Sequence, residues 1–236
     1  VITLAYLKRR LGITGSDDDT RLQECIDAAT LTMERIANRK FAARDIREFY
    51  TPNRQNVLVL GNYPIIDLYR VAWGSEDAIR VSYSGSDIRA SVRVNDTGVD
   101  LRSVAADGTV TDTALTFATY PTLSTMTAAI TAVSDWTATL QSDDAESDEL
   151  HRLNIPDAKT GAKDLTWPDR DEDEYHADLD SGLITFKSFY STAWPDTEIG
   201  FSKGFERVFV YYRAGYETIP ADIAEVAGEL ASEIFQ

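Results

Sequence analysis

The spacing of apolar residues changes period along the chain, and each change predicts an element. Leu4, Leu7 and Leu11 share one helical face, Thr3 stands where a side-chain cap belongs, and Gly12 supplies a stop, so a short first helix is expected. The acidic cluster Ser16-Asp17-Asp18-Asp19-Thr20 follows. Carboxylates are favoured there by the free N–H groups and the positive dipole end of a helix start. Leu22, Ile26, Ala29, Met33 and Ile36 then recur at spacings of 4, 3, 4 and 3, which predicts a long amphipathic helix over about residues 20–39.

After Phe41 the period shortens. Ile46 to Thr51, Val57 to Leu60 and Ile65 to Trp73 read as strands, parted by Pro52-Asn53 and by Gly61-Asn62-Tyr63-Pro64. From Gly74-Ser75 to about Gly204 the composition moves toward Thr, Ser, Asp and Gly. Short strands are expected at Ile79 to Tyr83, Ser91 to Val94, Val99 to Ser103 and Ala114 to Phe117. Within that stretch Leu123, Met126, Ile130 and Val133 repeat at 3, 4 and 3 behind Thr122, predicting one short helix packed on a sheet before Trp136 opens another strand. Trp167-Pro168 and Asp169 to Glu174 read as a long exposed loop, and Gly182 to Phe186 as a strand leaving it.

Near the end, Arg207 to Tyr212 is apolar or aromatic on both alternations, as expected of an interior strand covered on both faces. Ala214-Gly215 turns the chain and Pro220 suits the first turn of a last helix. Its buried face is expected to carry Ile223, Val226, Ala227, Leu230 and Ile234, with Glu225, Glu229 and Glu233 on the opposite side. The resulting fold class is α+β: a small helical core formed by the N- and C-terminal helices (residues 1–74 and 205–236) and a large inserted β-rich acidic domain (residues 75–204).

Composition narrows the function. The formal net charge is -16, and a chain so acidic offers no clustered cations for gripping phosphate backbones. Between Gln141 and Asp180 fourteen Asp and Glu stand against four Lys and Arg, so most of the acidity is local. The single cysteine, Cys25, leaves no intramolecular disulfide, which suits a reducing cytoplasm; its place near the stripe of the long helix reads as core packing. No run approaches the roughly 20 apolar residues of a membrane span, and Lys8-Arg9-Arg10 follow the first apolar residues where a signal peptide would have them precede. The missing initial Met, and apolar residues still arriving at helical spacing at Ile234 and Phe235, raise the expectation that the native chain is longer.

Candidate chemistry is sparse. His151 and His176 lie 25 positions apart and form no helical metal pair, and neither a phosphate-binding Gly-rich loop nor a dinucleotide turn is present. Asp169, Asp171 and Asp173 alternate like the opening of a calcium loop, yet Glu174 occupies the sixth position where a sharp turn wants Gly. Abundant carboxylates with Trp136, Trp167 and Trp194 leave a carbohydrate-active module as a distant alternative, since no spacing singles out an acid and base pair. No cofactor, metal or catalytic residue is assigned, and an enzyme is not expected.

Ile2-Thr3-Leu4, Tyr6-Leu7-Lys8, Leu11-Gly12-Ile13, Asp17-Asp18-Asp19 leading to Leu22, Ile26-Asp27-Ala28-Ala29 and Asn38-Arg39-Lys40-Phe41 follow one another in an order and spacing that resembles the head-tail connector, or adaptor, family of tailed phages. The closing stretch, Val210-Tyr211-Tyr212-Arg213-Ala214-Gly215-Tyr216 with Ile219-Pro220 and Ile223-Ala224, resembles the strand, glycine turn and helix that end such proteins. Tyr120-Pro121-Thr122-Leu123, with Ala129-Ile130 and Trp136, resembles a small module of phage structural proteins; the long acidic insert is the departure. The resemblance implies a homo-oligomeric ring, commonly of twelve subunits, in the virion neck. It would bind the portal on one side and a stopper or tail-completion protein on the other, and double-stranded DNA would pass through without specific binding. Such a protein assembles in the host cytoplasm and needs no membrane. A tail-completion or other virion component is the alternative. Glu225, Glu229, Glu233, Ile234 and Phe235 are the candidate partner-contact residues, because the last helix carries more apolar surface than its own core requires.

Overall fold

The computed structural model describes residues 1–51, 57–172, 175–186 and 208–236. The first helix, α1 (Leu4–Leu11), forms as its capping signals dictate: the Thr3 hydroxyl accepts from the Tyr6 N–H, and Gly12 closes the helix in the left-handed region at φ 72°. α2 (Asp19–Ala37) buries Leu22, Cys25, Ile26 and Ala29 and ends at Asn38, which also adopts positive φ. Met33 is half-buried and Ile36 stands 80% exposed, so the stripe read from the sequence outruns the surface that covers it. The last helix, α4 (Ala221–Phe235), crosses back onto α1 and α2, and Leu7, Leu22, Ile26, Ala29 and Ala231 form the buried centre of this bundle.

The buried face of α4 differs from the expected one. Ala227, Gly228 and Ala231 lie innermost, whereas Val226 and Ile234 are 52% and 43% exposed. Small side chains win because α1 approaches closely: a Cβ on Gly228 would lie 2.8 Å from Cε1 of Tyr6. Glu225 and Glu229 consequently face α1, where an outward position was expected.

An antiparallel sheet adjoins the bundle. β1 (Arg44–Tyr50) and β3 (Ile65–Trp73) flank β14 (Val208–Ala214), and the two-residue β11 (Arg170–Asp171) pairs with the far side of β3. β14 is thus interior, as its unbroken apolar run requires. Arg207, where the expected strand began, lies outside the described residues. A second sheet, β2 (Val57–Val59), β13 (Leu183–Phe186) and β12 (Tyr175–Asp178), packs across one face, so that Leu58, Leu60, Ile184 and Phe186 meet Ile46, Val71, Val208, Val210 and Tyr212. Within residues 167–171, read from sequence as exposed loop, Pro168 is buried, while Arg170 and Asp171 stay exposed but pair with β3, Arg170 lying over the Trp73 ring and Asp171 pairing with Arg70.

The middle of the chain builds its own core. β4 (Glu76–Tyr83) lies between β10 (Lys163–Trp167) and β8 (Trp136–Leu140), while β5 (Arg89–Val94), β6 (Gly98–Val104), β7 (Val110–Thr116) and β9 (Leu153–Ile155) make a second four-stranded sheet. α3 (Leu123–Ala132) packs over them through Leu123, Met126, Ala129 and Ile130, as its period predicted. Its capping box is complete: the Thr122 hydroxyl accepts from the Thr125 N–H, and the Thr125 hydroxyl accepts from the Thr122 N–H. No helix of the described residues is long and apolar enough to cross a membrane.

Candidate interface surfaces

Three polar constructions stand on this frame. The first joins α1 to α4. Arg10 donates to Glu225 at 2.6 Å and approaches Glu229 at 3.5 Å, while the Tyr6 hydroxyl donates to the other oxygen of Glu225 at 2.7 Å. Hydrogen bonds from Arg10 and then Tyr6 hold the Glu225 carboxyl below its ordinary value, and the same bond raises the Tyr6 hydroxyl. At the other end of the helix Arg21 donates to the Phe235 carbonyl at 2.7 Å and stacks over its ring at 4.5 Å. Of the five partner candidates, Glu225, Glu229 and Phe235 therefore serve contacts within the subunit. Glu233 and Ile234 face outward, beside Asp222 and Val226.

The second construction is a seam between the central sheet and the middle of the chain. A short 3-10 turn, Ser147–Glu149, delivers its acids to two arginines of the sheet. Arg47 pairs with Glu146 and, at 2.7 Å, with Asp148, its guanidinium lying 4.0 Å from the Tyr211 ring centre. Arg70 bridges Glu149 and Asp171. Burial raises the Asp148 and Glu149 carboxyls despite these cations, whereas Arg70, whose burial acts to lower it, is raised on balance by its two carboxylate bonds. Beside them Arg152 donates to the carbonyls of Asp148 and Leu150 and lies over Phe49 and Phe117. His151 is buried edge-on to Phe49, with Nδ1 3.0 Å from the Thr166 hydroxyl. Each of these side chains makes at least one contact within the subunit, although Arg47 Nε and Asp148 Oδ1 are buried without a hydrogen-bond partner among the described residues, and the seam behaves as a rivet between two layers.

The third surface was not anticipated from sequence. A shallow groove at the C-terminal end of α2 is lined by Leu31, Arg35, Arg39, Lys40, Arg44 and Asn62. Lys40 is paired with Glu34 at 2.5 Å. Arg39 donates to the Tyr63 carbonyl at 3.0 Å and stacks on its ring, and Arg44 donates to the Asn62 amide oxygen at 3.1 Å. Among the described residues no carboxylate comes within ion-pair range of Arg35, Arg39 or Arg44. The run Arg35, Arg39, Lys40, Arg44 is the signal that could have pointed to it.

The metal and nucleophile candidates do not assemble. His176 is exposed on β12 and distant in sequence from buried His151, Cys25 is buried within α2, and Asp173 lies outside the described residues. No cluster of three potential metal ligands occurs among the described residues.

The segment from α1 through the start of β3 carries the decisive comparison. Residues 1–68 match the family model for phage gp6-like head-tail connector proteins. No curated protein matches the chain. The match covers 68 of the 236 residues and likens this segment to phage head-tail connector proteins. The connector-matched segment contains α1, α2, β1 and β2, hence both helices on which α4 rests and the whole of the arginine groove. It carries ten Lys and Arg against nine Asp and Glu, a net of +1, while residues 69–236 carry thirteen against thirty, a net of -17.

Proposed function

We propose that the chain is an adaptor, a head-completion subunit that forms a ring between the portal and the tail, with double-stranded DNA passing through the lumen. The observation that carries this reading is the connector match of residues 1–68 together with the packing of α4, from the opposite end of the chain, onto the matched helices. On this reading residues 1–74 and 205–236 form the connector core and residues 75–204 the insert. The insert's own hydrophobic core is drawn from residues 78–165, and residues 170–171 and 175–186 return to the core sheets.

Passage without adhesion follows from charge. A chain of net -16 repels a phosphate backbone, and releases too few counterions to hold it at physiological salt. The outward residues of α4, Glu233 and Ile234 with Val226 beside them, are the proposed partner surface; the portal and a stopper protein occupy the two ends of the ring. The number of subunits is taken from the family's common twelve.

Negative-stain microscopy of the full chain mixed with its portal tests the reading: a continuous ring of density on the portal's outer end is expected. Association with tail proteins alone, and none with the portal, would instead identify a tail-completion protein. Retardation of duplex DNA at physiological salt would overturn the non-adhesive lumen.

A further inference from the structure

The arginine groove is anomalous for a chain with 39 acidic residues and 23 basic ones. Lys8, Arg10, Lys40, Arg47, Arg70, Arg80, Arg102, Arg152, Arg170 and Arg213 each have a carboxylate within ion-pair distance. Arg35, Arg39 and Arg44 have none among the described residues; Arg9, Arg21, Arg89, Arg93, Lys159 and Lys163 also lack one, and what sets the three apart is that they line one groove together. One large apolar side chain lies there as well: Leu31, 60% exposed, lines the groove. Unpaired guanidiniums beside an exposed aliphatic residue describe the receptor for an acidic, amphipathic segment.

The chain itself presents such a segment. Asp222, Val226 and Glu233 recur along the exposed side of α4 at spacings of 4 and 7, with Ile234 beside them. Val226 and Ile234 are half-exposed aliphatic residues, and neither Asp222 nor Glu233 has a cationic partner among the described residues. One subunit cannot join these surfaces to each other, because α4 is packed on α1 and the N-terminal half of α2, whereas the groove opens at the far end of α2 beside Asn62.

We infer that the outer face of α4 of one copy docks into the arginine groove of the next, a head-to-tail contact that repeats around the ring. The inference rests on the ring proposed above and names the surfaces that close it. A heterologous contact uses two different patches on every copy, and such patches generate a closed ring when the rotation between copies divides the circle. Carboxylates of α4 meet guanidiniums that their own subunit leaves unmatched, and Val226 and Ile234 cover Leu31. Partnering explains why the connector-matched segment keeps a balanced charge while the rest of the chain is strongly acidic.

Sedimentation of the full-length chain up to millimolar concentration, at low and high salt, provides the test. Wild-type protein is expected to self-associate, and more weakly as salt rises. Arg35→Glu/Arg44→Glu reverses the groove, and Asp222→Lys/Glu233→Lys reverses the helix face; each alone should associate at least about tenfold more weakly. Arg35→Glu by itself, at an exposed helical position with no ion-pair partner among the described residues, serves where the double groove variant fails to fold. Mixed in equal amounts, the two double variants should regain association, because each then offers the surface that the other lacks. Self-association unaffected by either reversal, or a mixture that stays dissociated, overturns the pairing while leaving the ring on the portal intact. Absence of any self-association at millimolar concentration overturns it too, and the portal microscopy decides the ring separately. Duplex DNA bound by wild type and lost in the groove variant would make the groove a nucleic-acid site and end the proposal.

Discussion

The helical end and the β-rich middle of this protein are held together by different means. In the middle, two sheets and α3 enclose a continuous apolar core running from Ala78 to Leu165, with Leu101, Leu123, Met126, Ile130 and Leu150 fully or almost fully buried. The bundle of α1, α2 and α4 has five buried residues at its centre and leans on the Arg10–Glu225 latch, the Arg21–Phe235 stack and a glycine contact. Burial of apolar surface supplies most folding free energy, so the middle is the stable body and the bundle the part that yields first. A region that must dock against neighbours draws part of its stability from them, and a small self-sufficient core is compatible with that.

The sharpest way to break this contrast is to injure the larger core. Ile130→Ala removes a fully buried side chain from under α3 and is expected to cost about 3 kcal/mol, read as a shift in the denaturant midpoint. If the loss is under about 1 kcal/mol, the middle is not the stable body.

Gly228→Ala attacks the bundle. A methyl group 2.8 Å from Tyr6 Cε1 must push α1 and α4 apart, with an expected cost of about 1–3 kcal/mol. Hydrogen exchange should accelerate in α1 and α4 and stay unchanged in β5 and β6; uniform acceleration would mean that the two regions unfold as one.

Thr122→Ala dismantles one half of the α3 capping box and is expected to cost about 1 kcal/mol. Thr122→Ser should recover most of it, since the hydroxyl that accepts from the Thr125 N–H is retained.

The smallest effect belongs to pH. The Glu225 carboxyl is held below its ordinary value, so its contribution is complete above the unfolded value of 4.5 and is lost as pH falls through the lower folded one. Exchange at α1 should rise in that acid window, and Glu225→Gln should flatten the dependence. An acid response identical in wild type and variant would show that the latch carries no linkage.

Local signals were legible wherever they closed within a few residues. Thr3, Gly12, the first half of the α2 stripe, β3 and the Thr122 cap all formed where the spacing put them, because capping and period are properties of a single turn or strand. The interior position of β14 could also be read, since no edge strand needs apolar residues on both faces. Errors arose where a partner from elsewhere in the chain decided the outcome. Asp171, after Trp167, looks unpaired until Arg70, about a hundred residues earlier, donates to it. The last helix appeared to bury its largest side chains, and Tyr6 instead selected its smallest.

By itself, then, the sequence determined the α+β character, the order of most elements and the resemblance of the first segment, all of which depend on period, caps and local spacing. Only the tertiary structure decided which face of α4 is inward, which acids are matched by arginines, and which three unmatched arginines share a groove. Those outcomes depend on distances between residues remote in the chain, and side-chain charge has no partner until the backbone has brought one within a few ångströms.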